Sequence, residues 1–174
     1  MNHSLHIMTQ RLELLPCSLE VAQAVVTRNK PEVERLLGVR VPDDWYGSEV
    51  LDIFPMYAQM LIDDPSQLGW GIWLMIDIAD STLIGDLGFL GKPDRTGTVE
   101  MGYEVLSAYR QQGFAFEAVE ALVNFAFTEQ ELNRIIAHSP EDHVASIRIL
   151  EKLGMQQIAK DENLLEWELK LESR

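Results

Sequence analysis

An extended run, Gly102-Tyr103-Glu104-Val105-Leu106, passes through Arg110-Gln111-Gln112-Gly113-Phe114-Ala115 directly into an apolar helical stretch that opens Phe116-Glu117-Ala118-Val119. A strand that hands over to a helix at a glycine-containing turn leaves several backbone N–H groups unpaired at the positive end of the helix dipole, where phosphates bind. The order therefore predicts a strand–turn–helix unit with a phosphorylated cofactor at its corner; a glycine used only for tight packing at the start of a helix is the plain alternative. Neither Gly-x-Gly-x-x-Gly nor Gly-Lys-Ser/Thr occurs at this turn, which argues against a dinucleotide fold and a P-loop.

A second block, Ser139 to Gly154, is punctuated as a helix. Ser139 and Asp142 have the spacing of a capping box with Asp in place of Glu, Pro140 suits the first helical position, and Gly154 suits the residue past the end. Val144, Ile147, Leu150 and Leu153 then share one face.

The remaining pattern predicts a strand from Ile7 to Leu15, helices from Leu19 to Thr27 and from Pro31 to Leu37, and an interrupted helix from Ser48 to Asp63 kinked at Pro55. Strands follow at Trp70 to Ile76, Leu83 to Leu90 and Val99 to Leu106, the last two joined by the hairpin-like Gly91 to Gly97. After a helix from Gly113 to Phe127 come strands at Arg134 to His138, Met155 to Ala159 and Leu164 to Leu171. Such interleaving indicates an α/β sandwich around a mixed sheet. With no linker-like tract or repeat, residues 1–174 read as a single domain.

At 174 residues and 47% hydrophobic content the chain can bury a sizeable core. Cys17, the only cysteine, excludes an intrachain disulfide and reads as a small buried apolar side chain in a reducing compartment. The start of the chain lacks the features of a signal peptide and no apolar stretch reaches a membrane span, so cytoplasm is the default and no membrane partner is expected. Fourteen basic against 28 acidic residues, a net charge of −14, argue against nucleic acid and for a cationic partner. His3-x-x-His6 and the pair His138/His143 do not make a convincing ligand set, and no metal is expected.

Arg110-x-x-Gly113-x-Ala115 resembles the Gln/Arg-x-x-Gly-x-Gly/Ala signature of the GNAT N-acetyltransferases, whose backbone amides wrap the pyrophosphate of acetyl-coenzyme A. The Ser139–Gly154 block is similar to the family's Asn-x-Ala-Ser-x-x-x-Leu-Glu-Lys-x-Gly-Phe, matched at Ala145, Ser146, Leu150, Glu151, Lys152 and Gly154, with His143 in place of Asn and Met155 in place of Phe. Thr9-Gln10-Arg11-Leu12-Glu13-Leu14 and the segment Gly38 to Trp45 resemble the opening strand and the Gly-x-x-Pro-x-x-Trp stretch of the branch that includes the ribosomal-protein N-terminal acetyltransferases. The resemblance covers nearly the whole chain. It implies the GNAT fold, a single mixed β-sheet with helices on both faces and two splayed parallel strands, here Val99 to Leu106 and Arg134 to His138, with the pantetheine arm between them.

The resemblance also implies where chemistry would sit. Val105, Leu106, Arg110, Gln111, Gln112, Gly113, Phe114, Ala115 and His143 would hold acetyl-coenzyme A, with Arg148 or Lys152 as further cations against the unfavourable global charge. A backbone N–H of Val105 or Leu106 would meet the developing oxyanion, since a missing strand partner leaves it free. Strand alternation places Glu100, Gly102 and Glu104 on one face, opposite Val99, Met101, Tyr103 and Val105. Glu104 is the nearer candidate base and His138 its rival, with water as a third route; the alternatives are a Glu on a solvated edge and a His satisfied by a loop carbonyl. The last helix has no tyrosine to serve as acid, which leaves Ser146 as the donor to the thiolate, or as an ordinary interior helix serine.

Between Val41 and Asp64 lie Asp43, Asp44, Glu49, Asp52, Asp63 and Asp64, interleaved with Trp45, Tyr46, Phe54 and Tyr57 and with no Lys or Arg. In the family this region walls the acceptor site, so an amine-bearing, cationic acceptor held by charge and cation–π contacts is expected; solvated helix faces are the alternative. A homodimer is compatible with the sequence, which fixes no oligomeric state. Direct acetyl transfer to an amine is the expected activity. A non-catalytic acyl-coenzyme A-binding or regulatory domain on the same fold, suggested by the missing tyrosine and Asn, is the second reading.

Overall fold

The computed structural model describes residues 5–129 and 131–173, and these build one eight-stranded sheet of order β1-β2-β3-β4-β5-β6-β8-β7. The strands are β1 (Ile7–Met8), β2 (Leu12–Pro16), β3 (Ile72–Asp77), β4 (Thr82–Phe89), β5 (Thr98–Val105), β6 (Arg134–Pro140), β7 (Gln156–Asp161) and β8 (Leu164–Lys170). The helices are α1 (Leu19–Val26), α2 (Lys30–Leu37), α3 (Phe54–Asp63), α4 (Phe114–Ala126) and α5 (Val144–Lys152). Every neighbouring pair is antiparallel except β5 and β6, which are parallel.

Period-two alternation decides which helices lie on which face. Val99, Met101 and Val105 of β5 and Ile135 and Ala137 of β6 are buried with Phe114, Ala118, Leu122 and Leu150 of α4 and α5. On the opposite face of β3 and β4, Ile72, Leu74, Ile76 and Leu83 bury against Val21 and Val25 of α1 and Phe54, Tyr57 and Leu61 of α3. Strand β4 is covered on both faces and is buried along nearly its whole length. Cys17 is buried as expected, and burial pushes its thiol far above the usual range.

The parallel ladder positions the site. It runs from Thr98 opposite Arg134 to Met101 opposite Ala137 and stops. Beyond it β5 stays paired with β4 as far as Val105, while β6 stays paired with β8 as far as Pro140. Two strands with separate partners on their outer sides thus leave a wedge between them.

Three expectations are corrected. The opening strand is a hairpin, β1 turning through Thr9 to Arg11 into β2, because the Thr9 N–H donates to Leu12 O at 2.9 Å. Pro55 does not kink a helix: it lies in the first turn of α3, where its missing N–H is harmless, after two 3-10 turns at Asp43–Gly47 and Glu49–Ile53. The capping box at Ser139 and Asp142 does not form. Ser139 is buried in β6, where its hydroxyl accepts from Trp167 Nε1 at 2.9 Å, Pro140 is the last strand residue, and α5 starts after His143 with no side-chain cap. Gly154 does end α5, at φ +86°. Among the described residues no helix is long and apolar enough to cross a membrane. His3 of the histidine pair lies outside the described residues.

Candidate active site

The turn after β5 is a short 3-10 segment, Ser107–Tyr109, followed by Gln111 at φ +59° and Gly113 at φ +83°, the residue that caps α4. Among the described residues no group accepts from the backbone N–H of residues 111–116, six in succession at the positive end of a 13-residue helix. Arg110 returns to β5, its Nε donating to Val105 O at 2.9 Å and its Nη2 lying 3.9 Å from Glu104 Oε1. Lys152 of α5 stands 4.0 Å over the Phe116 ring and adds a cation beside the start of α4.

The first strands brace this turn. Arg11 Nη1 donates to Gln112 O at 2.8 Å and Nε to Glu117 Oε2 at 2.7 Å, while the guanidinium lies 4.3 Å over the Phe114 ring. The other Glu117 oxygen accepts from the Arg11 N–H at 2.9 Å and from the Thr9 hydroxyl at 2.6 Å. Burial raises the Glu117 carboxyl, but these hydrogen bonds outweigh it and hold the group below its ordinary range. Sequence reading saw Thr9 to Leu14 only as a resemblance; Arg11 and Glu117 are 106 positions apart, so no local pattern shows the clamp. Arg11→Met is expected to weaken coenzyme A binding by about tenfold in a calorimetric titration, since charge-assisted hydrogen bonds at a half-exposed group contribute about 1 kcal/mol or somewhat more.

At the wedge, strand geometry separates the two candidate oxyanion donors. The Leu106 N–H donates to Ile84 O at 2.8 Å, so it is spent on β4 and the expectation that it is free is corrected. Antiparallel pairing turns alternate residues outward, and the Val105 N–H accordingly points away from β4 into the gap beyond Met101 and Ala137. On the helix side of the gap, the Tyr103 hydroxyl lies 2.9 Å from Ser146 Oγ, a contact across from β5 to α5 that the sequence reading missed. Burial raises the Tyr103 phenol, with the Ser146 hydrogen bond opposing it.

On the opposite face, Glu100, Glu104 and His138 share one side of the sheet, as alternation requires. They are not a single cluster. His138 Nδ1 is 2.8 Å from Glu100 Oε1 and its Nε2 3.8 Å from Glu166 Oε2, whereas Glu104 lines a cavity of ≈ 260 Å³ over β3, β4 and β5. At that cavity lies Asp86, the register partner of Glu104, 6% exposed and accepting from Trp45 Nε1 at 3.1 Å. Burial pushes the Asp86 carboxyl up to about 7, the Trp45 N–H pulls against this, and the Glu104 charge adds to the rise. His143 precedes α5, exposed and without a capping bond.

The acidic, aromatic segment contributes less than expected. Glu49, Val50 and Ile53 line the cavity, but Trp45, Phe54 and Tyr57 are buried in the core and present no open ring face to a cation. Asp43 pairs with Lys30 at 2.6 Å and Asp64 with Lys92 at 2.9 Å.

A parallel strand pair that parts beside a run of free N–H groups, with polar side chains on both sides of the opening, is the arrangement of an acyltransferase that uses a phosphorylated acyl carrier. The chain belongs to the GNAT acetyltransferase family: the acetyltransferase (GNAT) domain profile matches residues 11–156. It is 31% identical over 150 residues to the uncharacterized N-acetyltransferase p20 of Bacillus licheniformis, covering 85% of this chain and 80% of that protein. It is 27% identical over 146 residues to the uncharacterized N-acetyltransferase YjdG of Bacillus subtilis strain 168, covering 84% and 86%. Among solved structures, the ribosomal-protein-S5-alanine acetyltransferase of Vibrio fischeri superposes with a TM-score of 0.68 at 15% identity, over 95% of this chain and 96% of that one. The ribosomal L7/L12 α-N-protein acetyltransferase RimL, solved with coenzyme A, superposes with a TM-score of 0.67 at 16% identity, over 98% and 100%. At these identities the two structures speak to the fold.

Proposed function

We propose that the protein transfers an acetyl group from acetyl-coenzyme A directly to an amine. The observation that carries the reading is the end of the parallel ladder at Met101 and Ala137, with the Val105 N–H turned into the gap and the free N–H groups of residues 111–116 at its mouth. Those N–H groups, with Arg11, Arg110 and Lys152 nearby, suit a pyrophosphate, which supports residues 110–115 as the holding segment. The RimL structure, a fold relative, contains coenzyme A. Bound there, acetyl-coenzyme A supplies an activated acyl carbon.

This chain's residues supply the rest. The ammonium form of the acceptor approaches from the cavity face, loses a proton to become the free amine and forms the N–C bond; the C–S bond breaks, the nitrogen gives up a second proton, and the thiolate takes one. Glu104, at the cavity and one residue before Val105, is the candidate proton acceptor, directly or through water. The Val105 N–H faces the negative charge that develops on the acyl oxygen. Ser146, joined to the Tyr103 phenol, is the donor to the departing sulfur. A last helix without tyrosine favours a purely binding domain, but here β5 delivers the phenol instead.

The test is acceptor-dependent thiol release. Glu104→Gln should lower kcat by about a hundredfold or more, within the usual contribution of a positioned base. His138→Ala should have a smaller effect, because His138 faces Glu100 and Glu166 rather than the cavity. Full turnover across pH in both variants would leave proton removal to water.

A further inference from the structure

The cavity beside Glu104 has a chemical character that names the acceptor class. Its lining includes three carboxylates, Glu49, Asp86 and Glu104, and no Lys, Arg or His; the rest is apolar side chain, glycine and Tyr103. Asp86 is the unusual member. Its Oδ2 accepts one neutral N–H, from Trp45, and among the described residues nothing donates to its other oxygen. A buried carboxylate held by a single neutral donor lacks the counter-charge that burial ordinarily demands. Trp45, wholly buried, fixes the carboxylate at the cavity, and the β4–β5 register sets Glu104 directly opposite.

Room is provided as well. Gly102 shares the face of Glu104, and a Cβ built there meets nothing within 4 Å, so no neighbour requires glycine at this position. The slot it leaves opens on the same cavity.

Resting on the transferase reading, we infer that Asp86 is the receptor for the acceptor's ammonium, and that the cavity selects a primary amine on an uncharged, apolar stem. An ammonium has three donors, enough for the free Asp86 oxygen and for Glu104. A carboxylate close to the amine meets the acidic lining, and the nearby cation Arg110 is already drawn to Glu104 at 3.9 Å, so free amino acids are rejected, while amidated or alkyl amines enter.

The experiment titrates n-butylamine, alaninamide and free alanine by calorimetry into coenzyme A-loaded protein, with thiol release from acetyl-coenzyme A measured in parallel. Wild type should bind the first two and not alanine. Asp86→Asn, nearly isosteric and still able to accept from Trp45, should lose about tenfold or more in amine affinity while coenzyme A affinity stays unchanged. Gly102→Val, which fills the slot and suits a strand, should do the same. Retained amine affinity in both variants, or equal binding of alanine, overturns the inference, as does a wild type that binds no amine. Amine binding without thiol release for any amine would instead defeat the transferase reading and leave the ammonium site standing. Preference between alaninamide and n-butylamine separates a peptide-like from an alkyl source.

Discussion

Gly113→Asp is expected to abolish coenzyme A binding while leaving the protein folded. Gly113 sits at φ +83°, a conformation that costs an L-residue about 1–2 kcal/mol. It is also the residue before α4, and its left-handed backbone is not the extended one from which a cap side chain accepts, so an Asp there stands against the helix's first N–H groups without recovering that cost. A loss of this size lowers the melting temperature by a few degrees and leaves the protein folded. The same carboxylate would occupy N–H groups suited to a pyrophosphate and place a negative charge beside it, and a Cβ at this position lies 3.3 Å from Arg11 Nη2, close enough for the new group to capture the guanidinium. A loss of more than about a hundredfold in affinity, at a melting temperature within a few degrees of wild type, is the expected result. Gly113→Ala carries the strain without the charge and should lose far less. Normal affinity in Gly113→Asp would remove the anion site from this turn.

The second large effect is on stability against pH. Asp86 has its carboxyl pushed up from 3.8 to about 7 by burial, with the Glu104 charge adding to the rise. A folded-state value above the unfolded one means that the native state holds the extra proton. The associated stability is complete below about pH 4 and is lost as pH rises through about 7. Asp86→Asn keeps the acceptor for Trp45 and removes the ionisation. The two proteins should therefore melt alike near pH 4, and the variant should become the more stable by about 4 kcal/mol by pH 8, roughly 10 °C in Tm. Parallel stability curves would show Asp86 to be ionised at ordinary acidity and in contact with water.

What the sequence made legible was local. The turn from Arg110 to Ala115, the start of α4 and the αL glycine at Gly154 are each set by residues a few positions apart, and each lies where spacing and propensity put it. The capping box failed for the complementary reason: Ser139 has the right neighbours in sequence, but Trp167, 28 positions on, claims its hydroxyl, and β8 holds the segment in the sheet. The same holds for the polar contacts around the site. Tyr103 meets Ser146, Trp45 meets Asp86, and Arg11 meets Gln112 and Glu117 through the packing of distant elements. Asp86, inside an apolar strand without a charged neighbour in the chain, carried no signal beyond being polar where its surroundings are not.

The short parallel ladder also bears on the thermodynamics of ligand entry. Strands β5 and β6 are stitched together only from Thr98 to Met101 and from Arg134 to Ala137, and beyond that each is supported by its outer neighbour. A guest that enters the fork breaks no existing backbone pairing between the tines. No pairing between the two strands would have to be broken for a guest to enter or re-made when it leaves, so the backbone ladder of the sheet would be the same with the fork filled or empty.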